Sequence, residues 1–252
     1  MNSTHQWIWQ YPNWPNFTWD MNQLASVLAQ ARQSQGVVQG MSQLLDADLN
    51  NEALASILIQ DGMTTSAIEG EHLDLASVRS SVANQLGLPN VGLPKASRTV
   101  DGLVEVLLDA TQQHQKALTI NRLCAWQAAL FPTGRSGMRD IIVGQFRGEA
   151  PMRVISGRVG KETVHFEAPP SHTINQEVER FLHWFNQPIE QLGMDGLIRA
   201  GVAHLWFITI HPFEDGNGRI TRALTDMALA QDEGQSMRLF SLSAQIHSQR
   251  EA

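Results

Sequence analysis

Two helical patterns joined by one short polar turn constrain this chain more than any other feature. The first is the apolar run Leu197–Ile210, and the second, Arg219–Asp232, has apolar residues at helical spacing. Between them stands His211-Pro-Phe-Glu-Asp-Gly-Asn-Gly218, in which Gly216 and Gly218 permit positive φ and leave room for a ligand beside the backbone. The sequence therefore predicts a helix–loop–helix unit with a polar loop.

Helical patterns also occupy most of the remaining chain. They cover residues 19–45, 50–71, 97–115, 119–130 and 174–187. Asp20 and Thr119 are residue types that cap helix N-termini, and they stand where two of these patterns begin. The middle segment 141–170 differs, because it alternates and is rich in Val and Gly, which favours one β-hairpin turning at 157–160. The predicted fold class is mostly α with one β-hairpin.

Composition excludes several classes of function. The net charge of −7 and the lack of a dense Lys or Arg run disfavour nucleic acid as a partner. No apolar run approaches the ~20 residues that span a bilayer, and there is no secretory leader, so a cytoplasmic protein is expected. Cys124 is the only cysteine, which rules out an internal disulfide, and a buried inert thiol is favoured over a nucleophile.

The N-terminal segment 5–19 is unusually rich in tryptophan. It contains Trp7, Trp9, Trp14 and Trp19, with Pro12 and Pro15 between them. Because proline removes a backbone donor and blocks helix, the sequence predicts an extended arm. Packing of this arm across its own domain is favoured, and a binding surface for a partner or ligand is the alternative.

The loop combines groups that suit a polyphosphate. Successive free N–H groups at the start of the second helix form an anion-binding nest. Arg219 and Arg222 are three residues apart, so both project from one face of that helix. Asp215 is then a natural ligand for Mg²⁺, and His211 can accept a proton near neutral pH.

Two other interpretations of the loop remain. A glycine-rich turn with a surface charge cluster would explain Gly-Asn-Gly alone, but it explains the whole string less well. A metal site of His204, His211 and Asp215 is also conceivable, since positions 204 and 211 share one helix face. His204 lies within an apolar run, however, and a core histidine is favoured.

The loop sequence also carries a family resemblance. His211-Pro-Phe-Glu-Asp-Gly-Asn-Gly-Arg-Ile-Thr-Arg222 matches in full the pattern His-x-Phe-x-Asp/Glu-Gly-Asn-Gly-Arg-x-x-Arg, and the chain thereby resembles the Fic (filamentation induced by cAMP) domain family. Most members transfer AMP from ATP to a hydroxyl of a target protein. The N-terminal leader is similar to that of a bacterial subgroup, so the resemblance covers nearly the whole chain. It implies a helical bundle with a β-hairpin flap at 152–170 that docks the target by strand addition.

The resemblance also implies a role for each loop residue. His211 would be the general base, Asp215 would hold Mg²⁺, and Phe213 would anchor the loop in the core. The phosphates of ATP would be bound by Gly216, Asn217 and Gly218, with Arg219 clamping the end that leaves as pyrophosphate.

A second motif implies regulation. Thr65-Ser-Ala-Ile-Glu-Gly70 fits the pattern Ser/Thr-x-x-x-Glu-Gly/Asn of the subgroup with an intramolecular inhibitory helix, expected here at about 52–70. Glu69 would form a bidentate pair with Arg222 and so displace the γ-phosphate of ATP. The predicted division is an N-terminal unit, 1–95, that contains the arm and this helix, and a Fic core, 96–252.

Several alternatives stay open at this point. The donor could be another nucleotide, Glu69 could position a water that removes AMP from a target, or the chain could be a catalytically silent module that senses ATP. Phe240 stands where relatives often have tyrosine near the adenine, and the chain stops where relatives continue towards a winged-helix domain. A homodimer is possible.

Overall fold

The computed structural model describes residues 6–158, 161–236 and 238–249. Its helices are α1 (Met21–Ser42), α2 (Ala47–Ile68), α3 (Leu75–Leu86), α4 (Arg98–Gln112), α5 (Ile120–Leu130), α6 (Ile174–Phe185), α7 (Ile189–Leu192), α8 (Gly196–Ile210), α9 (Asn217–Glu233) and α10 (Leu242–Ser248). Its strands are β1 (Arg135–Ser136), β2 (Arg139–Asp140), β3 (Arg153–Arg158) and β4 (Lys161–Glu167). The mostly α prediction is confirmed.

The strands form two antiparallel hairpins, where the sequence predicted one. The expected hairpin is β3–β4, which we call the flap; Val159 and Gly160 of its predicted turn lie outside the described residues. The additional hairpin, β1–β2, was missed because each strand has only two residues, too few to show alternation. Its turn is made possible by Gly137, which has φ +56°.

Side-chain caps explain where most of the helices begin. In each case an Asp, Ser or Thr just before the first helical residue accepts a hydrogen bond from a backbone N–H of the first turn, which satisfies an otherwise orphaned donor. The capping residues are Asp20, Asp46, Asp74, Ser97, Thr119, Asp195 and Ser241. Asp20 and Thr119 had been predicted to cap, whereas α3, begun by Asp74, had not been predicted.

The core is built around α9, which is buried along nearly its whole length against α8 and α4. Phe181 and Phe185 of α6 and Phe207 of α8 fill the space beside it and have no exposed surface. On the other side, α4 and α5 meet backbone to backbone at Gly102, where a Cβ would lie 1.9 Å from the carbonyl oxygen of Ala129. The loop between α8 and α9 therefore rests on a rigid base.

The N-terminal arm packs across the domain body, as the favoured interpretation predicted. Trp14 stacks edge-on against Trp206 of α8, and its Nε1 donates to Glu177 Oε2 of α6 at 2.9 Å. Trp9 Nε1 donates to the carbonyl oxygen of Glu167, at the end of the flap, at 2.6 Å. The arm is not extended throughout, because Ile8–Gln10 forms a 3-10 turn.

The longest described helices, α1 and α2, have 22 residues each; α1 lies on the surface of the bundle, whereas α2 packs against α3, α4 and α10. Arg32 of α1 bonds to Asp195, before α8, and to Asp232, near the end of α9, which fixes α1 to both helices. Within residues 6–158, 161–236 and 238–249, no helix combines the length and apolar character needed to cross a membrane.

Cys124 of α5 is half-buried and packs against the core. Burial raises the pKa of its thiol, because the thiolate would lose hydration. This fits the predicted inert thiol, although the side chain is less buried than expected.

Candidate active site

His211 lies at the end of α8 in an unusual backbone conformation. Its φ is +50°, and its N–H still donates to the Phe207 carbonyl oxygen at 3.1 Å, which closes the helix. The ring Nδ1 lies 3.2 Å from the carbonyl oxygen of Ile208. A carbonyl can only accept, so Nδ1 carries the hydrogen and Nε2 of the neutral ring keeps its lone pair.

The surroundings of His211 favour this neutral form. Burial lowers its pKa most strongly, and the positive charge of Arg147 lowers it further. The hydrogen bond to Ile208 and the charges of Glu69 and Asp215 oppose the shift without reversing it. Nε2 is therefore available to accept a proton at neutral pH.

Arg147, which the sequence analysis did not identify, holds the loop and the flap together. Its Nε donates to the carbonyl oxygen of His211 at 2.9 Å, and its backbone N–H donates to that of Pro212 at 2.8 Å. Its Nη2 donates to the carbonyl oxygen of Pro169, two residues after strand β4. Burial lowers its pKa, but a guanidinium remains charged. Arg147 therefore fixes the main chain at the proton acceptor relative to the predicted docking element.

The loop from Phe213 to Asn217 is held in shape by two hydrogen bonds between its end residues. Asn217 Oδ1 accepts from the Phe213 N–H at 2.9 Å, and Asn217 Nδ2 donates to the Phe213 carbonyl oxygen at 2.8 Å. Phe213 has no exposed surface and packs against Phe146, consistent with the predicted anchor. The Asn217 amide is thus engaged within the loop, and its donation to phosphate stays a prediction.

Gly216 and Gly218 shape the start of α9. Gly216 precedes the helix with φ +87°, and a Cβ there would lie 2.9 Å from the ring of Phe131. A Cβ on Gly218 would lie 2.1 Å from Oε1 of Glu69. The carboxylate of Glu69 thus lies against the N-terminus of α9, where the sequence predicts that a phosphate binds.

Asp215 is the candidate metal ligand of the loop. Its Oδ1 accepts from the Gly216 N–H at 2.6 Å, its Oδ2 accepts from the Ser136 hydroxyl, and about a third of the side chain is exposed, at 36%. No cluster of three or more His, Cys, Asp or Glu in the described part of the chain could hold a metal ion. One oriented carboxylate beside an anion site fits Mg²⁺ that takes its other ligands from phosphate and water.

The guanidinium of Arg222, on α9, forms hydrogen bonds with residues at the end of α2. Its Nε donates to the hydroxyl of Thr65 at 2.6 Å, and its Nη2 donates to the Thr65 carbonyl oxygen at 2.9 Å and to Glu69 Oε1 at 2.7 Å. The structure therefore confirms the pairing of Glu69 with Arg222 but corrects its geometry. In place of the expected bidentate pair, one bond from Nη2 joins Arg222 to Glu69, and Nε and Nη2 donate to Thr65.

Arg219 has a separate carboxylate partner that the sequence analysis missed. Its Nη1 donates to Oε2 of Glu71 at 2.9 Å, and its guanidinium stacks over the ring of Phe131 at 4.9 Å. Asp215 is more distant, at 3.9 Å. No spacing rule in the sequence joins positions that are 148 residues apart.

His204 does not join a metal site. Its Nδ1 lies 2.9 Å from the hydroxyl oxygen of Thr225 on α9, and burial lowers its pKa, helped by the charge of Arg222. It is a partly buried, hydrogen-bonded histidine, which is close to the favoured interpretation of a core histidine. Phe240 packs against the core under the guanidinium of Arg238, at 4.3 Å, and its relation to adenine stays a prediction.

A cavity of about 710 Å³ opens between the flap and the loop. Ile155 and Val164 of the flap form one wall, while Glu214 and Arg147 lie opposite, beside the backbone of His211. The flap and the loop that follows His211 thus line the same cavity.

Two family models match parts of this chain, and one of them includes the loop. Residues 117–229 match the model of the Fic/DOC family, and residues 7–88 match a domain of unknown function, DUF4172. The protein adenylyltransferases fic-1 of Caenorhabditis briggsae and Caenorhabditis elegans are 24% and 23% identical over 174 residues, or 66% of this chain. The chain spans only about 30% of the length of either relative.

Solved structures share the fold. A Fic family protein from Desulfovibrio desulfuricans matches with a TM-score of 0.63 and 22% identity, covering 94% of this chain and 66% of its own. A Fic domain containing signaling protein from Bacteroides thetaiotaomicron matches with a TM-score of 0.61 and 18% identity, covering 84% of this chain and 75% of its own. Fic-1 of C. elegans matches with a TM-score of 0.57 and 17% identity, covering 90% of this chain and 64% of the solved chain. The likenesses to solved structures show the fold, and the match over residues 117–229 shows that the chain contains a Fic/DOC domain.

Proposed function

We propose that this protein is an adenylyltransferase that moves AMP from ATP to a Ser, Thr or Tyr hydroxyl of a target protein. The Fic/DOC domain at 117–229 and two relatives named as protein adenylyltransferases support a transferase. The described site supports transfer of AMP to a hydroxyl in particular. A proton acceptor, His211, lies in the same loop as a proposed anion site flanked by Arg219 and Arg222. We further propose that the enzyme is autoinhibited by Glu69 while Glu69 is bonded to Arg222, as in this structure.

The proposed reaction assigns a task to each group. Nε2 of His211 accepts the proton of the target hydroxyl, whose oxygen forms a bond to the α-phosphorus of ATP. The bond from that phosphorus to the bridging oxygen breaks, and pyrophosphate leaves. The amides at Gly216–Gly218, with Arg219 and Arg222, hold the phosphates in line for attack. Mg²⁺, when bound at Asp215, would neutralise phosphate charge.

The position of the Glu69 carboxylate is the observation that carries this proposal. Its Oε1 bonds to Arg222 and lies against Gly218, where an anionic ligand of α9 would also lie. A carboxylate and a phosphate cannot share that space, so Glu69 competes with ATP. A preference of about 2.7 kcal/mol would hold roughly 99% of molecules in the inhibited state.

The target itself remains to be identified. We propose that it docks on the flap (152–170) by strand addition, a mode that uses main-chain hydrogen bonds and carries little side-chain information. A cytoplasmic location and a homodimer stay predictions.

Transfer of label from α-labelled ATP with Mg²⁺, with cell lysate as the target source, tests the proposal. Glu69→Gly should label itself or a target strongly, the wild-type protein weakly, and the Glu69→Gly/His211→Ala double variant not at all. Equal labelling of wild type and Glu69→Gly would show that Glu69 is not inhibitory.

The same assay separates the other candidate functions. Stronger labelling from GTP, UTP or CTP would identify another donor, and loss of AMP from a labelled target on adding wild-type protein would indicate the reverse reaction. ATP binding without transfer by Glu69→Gly would favour a silent ATP-sensing module.

A further inference from the structure

The end of α2 directs two carboxylates, not one, at the arginines of α9. Glu69 and Glu71 are separated only by Gly70, whose φ of +80° turns the chain between them. The N–H of Glu71 donates to the carbonyl oxygen of Ser66 at 2.9 Å, which fixes Glu71 to the last turn of α2. The two acids therefore move with the same short segment.

Each acid meets a different arginine. Glu69 Oε1 bonds to Arg222 at 2.7 Å, and Glu71 Oε2 bonds to Arg219 at 2.9 Å. The side chains of Arg222 and Arg219 are only 6% and 3% exposed, respectively. Those of their partners Glu69 and Glu71 are 35% and 39% exposed. The cations are thus fixed in the core, and the anions reach them from the solvent side.

Glu71 is the dominant partner of Arg219 in this arrangement. Within the described residues, Asp215 is the other carboxylate in an ion pair with Arg219, and at 3.9 Å it is beyond hydrogen-bond distance. Nε of Arg219 is buried and has no acceptor in the described part of the chain. Without Glu71, the guanidinium would be a buried cation with an unused donor, which favours binding of an anion.

We propose that Glu71 is a second inhibitory carboxylate, which keeps the phosphates of ATP from Arg219 while Glu69 keeps them from Arg222. This inference rests on the proposed function, because it assigns regulation to the same nucleotide site. Two carboxylates on one segment present two negative charges to the two cations, as adjacent phosphates of a polyphosphate would. Binding of a polyphosphate requires both contacts to open, whereas a monophosphate that reaches only the amides of α9 leaves Arg219 with Glu71.

Nucleotide binding, measured by titration calorimetry, tests the inference without relying on activity. Glu71→Gln removes the charge and keeps the shape of the side chain, and Glu69→Gln does the same at the neighbouring contact. Glu52→Gln is the matched control, because Glu52 is an exposed acid on the same helix with no contact to the site. ATP, ADP and AMP are titrated separately, each with Mg²⁺.

We expect Glu71→Gln to tighten ATP and ADP binding about threefold or more, the upper part of the range for partly exposed ion pairs. AMP binding and all binding by Glu52→Gln should match the wild type. If Glu71→Gln binds ATP like the wild type while Glu69→Gln binds it more tightly, Glu71 is not inhibitory and the proposed function stands. If no variant binds ATP, both the inference and the proposed function are wrong.

Discussion

Arg222 is joined to Thr65 by two hydrogen bonds, one to the side-chain hydroxyl at 2.6 Å and one to the carbonyl oxygen at 2.9 Å. Thr65 is itself almost completely buried in α2. The Thr65 hydroxyl holds Arg222 in position for Glu69, four residues later, and this contact gives the Ser or Thr of the proposed inhibitory pattern a physical role. Inhibition would then depend on Thr65 as well as Glu69.

Thr65→Val should therefore activate AMP transfer without any change at Glu69. Valine keeps the shape of threonine but leaves Nε of Arg222 buried without an acceptor, which costs about 1–3 kcal/mol in the inhibited state. We expect the initial rate of labelling from ATP to rise about fivefold or more. Thr64→Val is the control, because its hydroxyl bonds to Gln60 within α2. Equal rates for the two variants would contradict this role of Thr65.

The pH dependence of transfer should report the environment of His211. Burial lowers the pKa of its ring, so the neutral base persists to a lower pH than for an exposed histidine. In Glu69→Gly the pKa should fall further, because the charge of Glu69 raises it in the wild type. We expect kcat/KM of Glu69→Gly to be flat at neutral pH and to fall on acidification with a midpoint below about 6.5. A midpoint above that value would contradict the assignment of His211 as a buried base.

Arg147 should affect turnover more than nucleotide binding. Arg147→Lys keeps a positive charge but cannot bond both to His211 and to Pro169, since lysine lacks the fork of the guanidinium. In the Glu69→Gly background we expect kcat to fall about tenfold or more, with the Kd for ATP little changed, because the base is displaced from the docked hydroxyl. Arg139→Lys is the control, since Arg139 is an exposed arginine of the same cavity. If both lysine variants turn over alike, Arg147 has no positioning role.

The sequence was most informative where function depends on neighbouring residues. The positive φ of Gly216 and the shared face of Arg219 and Arg222 follow from local residue types and spacing, and so does the proposed anion site at the start of α9. The roles of Arg147 and Glu71 do not, because their bonds span 64 and 148 residues and exist only once the flap and α2 are packed on the core. The pairing of Glu69 with Arg222 was found only through a family pattern.

Strand β1 shows the same limitation on a smaller scale. Its Ser136 donates a hydrogen bond to Asp215, the candidate metal ligand, from a strand of two residues. Such a strand leaves no periodic signal in the sequence. The residues that orient a site are therefore harder to predict than those that form it.

A buried carboxylate pair lies where α2 packs against α9 and α10. Asp61 of α2 accepts a hydrogen bond from the Ser241 hydroxyl, and Asp226 of α9 forms an ion pair with Arg238 at 2.6 Å. Burial, and then the charge of Asp226, raises the pKa of Asp61 from 3.8 to about 7, against the opposing effects of Ser241, Ser243 and Arg238. The helix that leads to Glu69 is thus held partly through an acid that keeps its proton up to about pH 7.

Asp61→Asn should therefore change how stability depends on pH. A folded pKa above the unfolded value means that the stability due to the proton on Asp61 is complete below about pH 3.8 and is lost as the pH rises through about 7. Asparagine still accepts the bond from Ser241 but does not titrate. We expect the Tm of Asp61→Asn minus that of the wild type to increase from pH 5 to pH 8, measured by circular dichroism. Asp48→Asn, a change at an exposed position of α2, should give a constant difference. If Asp61→Asn also gives a constant difference, Asp61 is ionised throughout this range and its proton does not stabilise the fold.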